Sequence, residues 1–174
     1  AWDSVNQFTI NPAATGIVKD DEFTPKLGLE WRPDNDSLYY ASITRGFKSG
    51  GLNIYAGIVG DVVPSIKPES ITAFEIGAKR SFNDGVFLFD GAVYYYDYED
   101  YQLSIQYLDG PQLTNLPDVS VTGVEAAVKF NPTESFSLGA SFNYVDNSID
   151  SDLIIQDPFN INIPDKNVKG NPLP

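Results

Sequence analysis

The charged residues with the most regular spacing in this 174-residue chain are Lys26, Glu30 and Arg32, then Glu75 and Lys79, then Glu125 and Lys129. A carboxylate and an ammonium four residues apart can form a surface pair on a helix. The neighbouring residues argue against a helix. Leu27, Leu29 and Trp31 alternate with Lys26, Gly28, Glu30 and Arg32; Phe74, Ile76 and Ala78 with Glu75, Gly77 and Lys79; Val124, Ala126, Val128 and Phe130 with Glu125, Ala127 and Lys129. A period of two is a half-apolar strand. It places each pair on one sheet face, about 13 Å apart at ~3.3 Å per residue, so partners are expected across strands rather than within one. A soluble sheet would solvate such a face, and a membrane barrel would turn it toward a wet lumen.

Other constellations suggest chemistry less well. Glu69, Glu75 and Glu99 could supply a hydrolase pair, but nothing fixes two of them at a catalytic separation. Oxygen-rich stretches at Asp34–Asp36, Asp97–Asp100 and Asp146–Asp152 lack EF-hand spacing and suit turns. The Gly-rich run Arg45–Gly51 is not followed by a helix whose N-terminus could take a phosphate. Without Cys or His there are no disulfides, thiolate metal sites, Ser-His-Asp triads or imidazole bases. No catalytic residue, metal or cofactor is expected. The balance of 24 Asp+Glu against 11 Lys+Arg, a formal charge of −13, argues against a nucleic-acid partner.

Positioning these residues requires long strands. Period-two segments predict six antiparallel strands in simple meander order, near 24–32, 37–47, 70–82, 86–107, 117–130 and 135–146. Leu27, Leu29, Phe74, Ile76, Phe87, Phe89, Ala126, Val128, Leu138 and Phe142 share one expected face. Lys26, Glu30, Glu75, Lys79, Glu125 and Lys129 share the other. In strand four the odd positions Phe87, Phe89, Val93, Tyr95, Leu103, Ile105 and Tyr107 form the apolar side, with a bulge or an exit from the apolar layer expected at Asp97 and Glu99. Tyr95 is expected to face lipid, and Tyr94 and Tyr96 the lumen.

Connections alternate in length. Pro33–Asp36, Asn83–Gly85 and Asn131–Ser135 are tight, whereas Gly46–Glu69, Leu108–Pro117 and the segment after Asp146 are long; the segment before Phe23 also reads as loop. Trp31, Phe82, Phe87, Phe130 and Phe136 cluster beside the short turns. Strands of about ten residues, short turns on one side, long loops on the other and aromatics at one level fit a transmembrane barrel better than a soluble sandwich. No run of apolar residues is long enough for a transmembrane helix, and no signal peptide is recognisable.

Particular segments carry a resemblance. Phe23-Thr-Pro-Lys-Leu-Gly-Leu29, then Tyr40-Ala-Ser-Ile-Thr-Arg-Gly-Phe-Lys-Ser-Gly-Gly-Leu-Asn53, is similar to the barrels of TonB-dependent outer-membrane receptors of the siderophore type. Pro68-Glu69 with Glu75-Ile-Gly-Ala-Lys79, Ala92-Val-Tyr-Tyr-Tyr-Asp-Tyr-Glu-Asp-Tyr-Gln102, Asn115 with Gly123-Val-Glu125, and Gly170-Asn-Pro-Leu-Pro174 follow in the family's order. The resemblance implies a barrel of about 22 strands, a plug and a segment that couples to TonB. Residues 1–174 then read as a middle-to-late fragment of the barrel domain, without the plug and the remaining strands. Six strands alone would leave two open edges.

The fold class expected is therefore all-β, an antiparallel meander of about six long strands within a larger transmembrane β-barrel. The resemblance implies an outer-membrane transporter of a Gram-negative bacterium, not an enzyme, with lipid, TonB and a ferric siderophore or similar small ligand as partners. Two alternatives share the period-two pattern: a passive porin-like channel and a soluble glycan-binding β-sandwich. A surface hydrolase built into a barrel is disfavoured by the absence of His and of any arranged nucleophile. Phe47, Lys48, Asn53, Tyr55 and Lys67, in the longest internal connection, combine aromatic faces and cations that suit a planar anionic chelate.

Overall fold

The computed structural model describes residues 4–11, 14–52, 64–107, 110–155 and 166–173. In chain order the elements are β1 (Ser4–Asn11), β2 (Ala14–Asp20), β3 (Lys26–Asp34), β4 (Ser37–Lys48), β5 (Gly51–Leu52), β6 (Ser65–Ile66), β7 (Glu69–Phe82), β8 (Phe87–Tyr107), β9 (Gly110–Thr133), β10 (Phe136–Ile149), β11 (Ile154–Ile155) and β12 (Lys166–Asn167). No helix occurs among the described residues. The six long strands form one antiparallel sheet in the order β10-β9-β8-β7-β4-β3. Every expected long strand is present, and the ribbon β5–β6 interrupts the connection between β4 and β7.

Register decides what shares a face, because side chains alternate and a one-residue slip would invert a strand. Leu27 pairs with Ile43, Ile43 with Phe74 and Phe74 with Tyr95. The next rung toward the turns joins Leu29, Ala41, Ile76, Val93, Val124 and Tyr144. Two rungs nearer the β7–β8 turn is Ser37–Arg80–Phe89–Val128–Ala140, and the last is Phe82–Phe87–Phe130–Leu138. All ten residues expected on the apolar face lie on it. Between Phe87 and Tyr95 this band is about 26 Å long at ~3.3 Å per residue. Nothing among the described residues covers it: Leu29 is 72% exposed, Ile76 60% and Phe142 61%. A sandwich would have folded this face against a second layer.

The short turns follow backbone chemistry. Asn83, Asp84 and Gly85 all have positive φ, at 52°, 53° and 88°, and the Val86 N–H donates to the Asn83 carbonyl at 3.1 Å. Asn, Asp and Gly tolerate this region best. Phe82 and Phe87 close the turn with ring centroids 5.8 Å apart, and Trp31 lies 5.3 Å from Tyr39 beside the β3–β4 turn. Trp31 is two rungs from the Phe82 row, so the aromatics cluster by hairpin and the hairpins are staggered, as tilted barrel strands require.

Three expectations are corrected at the other end. The segment before Phe23, read as loop, contains the β1–β2 hairpin. Its sequence mixes Val5, Gln7 and Thr9 on one phase with Asn6, Phe8 and Ile10 on the other, so neither phase is uniformly apolar. Leu108–Pro117, read as a long loop, is mostly strand: β8 and β9 stay paired to Tyr107–Gly110. Above the apolar band a two-stranded ribbon needs no lipid-facing alternation, and Pro111 is tolerated there because an outward edge requires no donor. The chain after Asp146 likewise continues as strand to Ile149, followed by the β11–β12 pair.

The break expected at Asp97 and Glu99 is not a register shift. Glu99 pairs with Asp118 and Tyr101 with Leu116 in one continuous register. Instead Asp100 takes φ +51° opposite Pro117, which has no N–H to orphan. Strict alternation would send Tyr98 and Tyr101 to opposite faces. They meet edge-on, with centroids 5.3 Å apart. Leu103, expected on the face of Phe87 and Tyr95, joins Tyr98 against the buried cluster of Leu116, Val119 and Ile149, which Leu153, Val168 and Leu173 cover. One left-handed residue thus ends the outward apolar stripe and turns the ribbon's apolar side inward.

Candidate functional site: the charged sheet face and the long-loop end

The face opposite the apolar band carries Lys26, Glu30, Glu75, Lys79, Glu125 and Lys129, in the phase expected. Lys79 and Asp90 are direct partners across β7 and β8 and form an ion pair. Glu30 instead pairs with Arg32 at 2.7 Å, a contact within β3 that departs from the cross-strand expectation. Two positions apart on a strand share a face, so this pair needs no second strand. Lys26, Glu75, Glu125 and Lys129 have no ion-pair partner among the described residues. Among the described residues no three carboxylates gather as a metal cluster.

Tyrosines pave the space between these charges. Tyr94 and Tyr96 stack with centroids 4.7 Å apart on the charged face, while Tyr95 pairs with Phe74 on the apolar one. Tyr40 is the rung partner of Gly77, and Tyr94 that of Gly123; each ring lies over the glycine's missing side chain. A Cβ at Gly123 would fall within the Tyr94 ring's contact distance. Gly123→Val is therefore expected to lower the whole barrel's resistance to urea by about 1–3 kcal/mol through overpacking. Adding Tyr94→Ala should recover most of that loss; a deficit unchanged in the double variant would show that the ring is not the obstacle.

At the long-loop end, Lys67 is held on four sides. Its ammonium pairs with Asp100 at 3.1 Å, its N–H donates to Asn115 Oδ1 at 3.0 Å, and its carbonyl accepts from Asn115 Nδ2 and Gln102 Nε2, both at 3.1 Å. Asn115 also donates to the Asp100 carbonyl at 2.7 Å, and the Gln102 N–H to Glu69 at 2.7 Å. Gln102, Asn115 and Asp100 thus fasten the return of the long connection to the β8–β9 ribbon. Sequence reasoning placed Gln102 and Asn115 within family-like motifs, and contacts this remote in sequence have no periodic signal.

The five loop candidates fare differently. Phe47 pairs with Ser70 and Lys48 with Glu69 inside the sheet, and Lys67 belongs to the network just described. Asn53 and Tyr55 lie outside the described residues. Arg45, on β4, pairs with Glu22 at 3.1 Å and approaches Glu99 at 4.0 Å. Further along, the Asn167 amide and then the Lys169 ammonium, at 2.8 and 3.2 Å, hold the Asp152 carboxyl below the ordinary carboxylate range.

Known proteins share this arrangement. The family described as "TonB dependent receptor-like, beta-barrel" matches residues 1–174. The "Probable TonB-dependent siderophore receptor PiuA" of Acinetobacter baumannii is 23% identical over 141 residues, covering 79% of this chain and 19% of that protein. Among solved structures, the ferric yersiniabactin uptake receptor FyuA from Yersinia pestis superposes with a TM-score of 0.64 at 22% identity, over 78% of this chain and 20% of the receptor. The alcaligin outer-membrane receptor FauA from Bordetella pertussis superposes with a TM-score of 0.56 at 14% identity, over 98% of this chain and 30% of that one. The chain spans a fifth to a third of the length of these relatives. Members of this family are receptors and transporters rather than enzymes, and the six-stranded sheet described above belongs to the TonB-dependent receptor β-barrel family.

Proposed function

We propose that the whole protein is an outer-membrane receptor of a Gram-negative bacterium that takes up a scarce ligand, a ferric siderophore, by transport coupled to TonB. The observation that carries this reading is the match of all 174 residues to the receptor barrel family in a sheet with one bare apolar face and one charged, tyrosine-rich face. The apolar band faces lipid, because no described residue covers it and its length suits the hydrocarbon layer. Lys26, Glu30, Glu75, Lys79, Glu125 and Lys129 face the lumen. The short turns are periplasmic and the connection between β4 and β7 is outside; Asn53 and Tyr55 belong to this ligand-meeting connection, and Phe47, Lys48 and Lys67 stand at its base. Of these, Lys67 acts through its anchoring contacts, because Asp100 already neutralises its cation.

The siderophore class is supported by the names of PiuA, FyuA and FauA. TonB coupling is supported by the family description. The test is uptake of radioiron-labelled siderophores by iron-starved cells that express the complete protein, with and without an active TonB. Uptake that needs both the protein and TonB is expected. Uptake that persists without TonB would identify a passive channel instead.

A further inference from the structure

The connection between β4 and β7 passes twice between the large sheet and its own small ribbon. It leaves at Ser49–Gly50 and returns at Lys67–Pro68, and neither pair belongs to a strand. The two passages touch, because a side chain at Gly50 would run into the backbone of Ile66, Lys67 and Pro68. Hinge motion concentrates at such positions between elements, where no ladder holds the backbone.

Two side chains of the neighbouring ribbon hold both passages. Gln102 on β8 and Asn115 on β9 are rung partners, so their amides stand side by side on one face. The Gln102 amide donates to one carbonyl in each passage, Ser49 at 2.9 Å and Lys67 at 3.1 Å. The Asn115 amide accepts the Lys67 N–H at 3.0 Å and donates to the Lys67 carbonyl at 3.1 Å, as a peptide group on an adjoining strand would. It also donates to the carbonyl of the left-handed residue Asp100 at 2.7 Å. Pairing of β7 with β8 stops at Ser70–Glu99, and beyond it the Gln102 N–H donates to the Glu69 carboxylate at 2.7 Å. A carboxylate of the same shape in place of either amide would offer acceptors alone to the carbonyls of Ser49, Lys67 and Asp100.

We propose that Gln102 and Asn115 are positioning residues for ligand capture. They fasten both passages of the β4–β7 connection to the β8–β9 ribbon, so that the two outer segments meet ligand as one wall. Lys67 contributes chiefly its backbone, since its ammonium forms an exposed pair with Asp100 of the kind that adds little. The proposal rests on the reading of this connection as the ligand-meeting segment.

The test uses the complete receptor in bilayers, with nitroxide labels on cysteines introduced at Ser65 on β6 and Ser104 on β8, both exposed and outside the contacts above. Pulsed dipolar spectroscopy reads the distance between the labels without any ligand. The wild type is expected to give one narrow distribution. Gln102→Ala with Asn115→Ala should broaden it, while Lys67→Ala, which keeps the backbone that the amides bind, should leave it narrow. Uptake of the radioiron-labelled siderophore that the intact receptor takes up best is then measured. The double variant should need about tenfold more ligand for half-saturation, as loss of these hydrogen bonds implies, with the loss falling there rather than on the maximal rate. A distribution that stays narrow in the double variant, or broadens equally in Lys67→Ala, would overturn the fastening. A broad distribution with unchanged half-saturation would overturn the positioning role. If the wild type takes up no siderophore, the ligand-meeting reading falls and the positioning role with it, and the distances alone decide the fastening. Heat-modifiable migration shows which variants are inserted; should the double variant not insert, Asn115→Ala alone carries the same test.

Discussion

Replacing Ile76 with Arg is expected to block assembly of the complete receptor barrel, and replacing Lys79 with Gln to leave assembly intact. The two residues are three positions apart on β7 and project to opposite faces. Ile76 stands in the Leu29–Ala41–Ile76–Val93–Val124–Tyr144 rung, deep in the apolar band and 60% exposed, so an arginine there would meet lipid hydrocarbon. A cation at that depth costs about 2–4 kcal/mol, enough to stall insertion. It differs from the native Arg80, which sits near the rim with its head over Phe82. Lys79 lies on the charged face beside Asp90, and both side chains are about half exposed. Losing an exposed pair costs about 0–1 kcal/mol. The readout is heat-modifiable migration of the receptor in outer-membrane fractions, and equal defects in the two variants would contradict the facing.

Deleting Gly51–Ser65 is expected to abolish ligand binding while the barrel still forms. The deletion joins Gly50 to Ile66, and the two are already neighbours: Gly51 is the rung partner of Ile66, and Gly50 packs against the backbone of Ile66, Lys67 and Pro68. The junction needs no stretch of chain, and neither β4 nor β7 loses a rung to it. The Lys67, Asn115 and Gln102 contacts lie outside the deletion and continue to fix the loop's base. A loop that supplies several contact residues should cost about 100-fold or more in affinity when removed. Binding of labelled ferric siderophore to cells with the truncated receptor measures this, and unchanged binding would exclude the loop.

What was legible in the sequence is what lipid and water enforce. Between the turns and the Phe74–Tyr95 rung, each strand must present apolar residues on alternate positions, so Leu27 and Leu29, Phe74 and Ile76, and Leu138 and Phe142 declare their face without help from neighbours. The turn residues Asn83, Asp84 and Gly85 were legible for the same local reason, since they fit positive φ. Above the band that constraint lapses. Both faces of the β8–β9 ribbon are outside the apolar layer, so Leu113 and Pro117 look like loop although they lie in strand. The switch at Asp100 was half visible: the charges at Asp97 and Glu99 mark where the stripe ends, but only backbone φ shows how. The anchoring of Lys67 was invisible, because it joins residues separated by dozens of positions through carbonyls and amides that any sequence could supply.

The central claim is that one face of this sheet meets lipid and the other water, and collision accessibility of spin labels tests it most directly. This chain contains no cysteine, so single cysteines introduced here for labelling compete with none of its own. In the complete receptor reconstituted in bilayers, labels at Leu29, Ile76 and Val124 should be accessible to oxygen and shielded from a water-soluble nickel chelate. Labels at Ser42, Ala92 and Glu125, on the opposite face, should show the reverse. Alternation of the two signals along β7 from Phe74 to Phe82 and along β8 from Phe87 to Tyr95 is the predicted result, and nickel accessibility at Leu29, Ile76 and Val124 equal to that of the opposite face would contradict it.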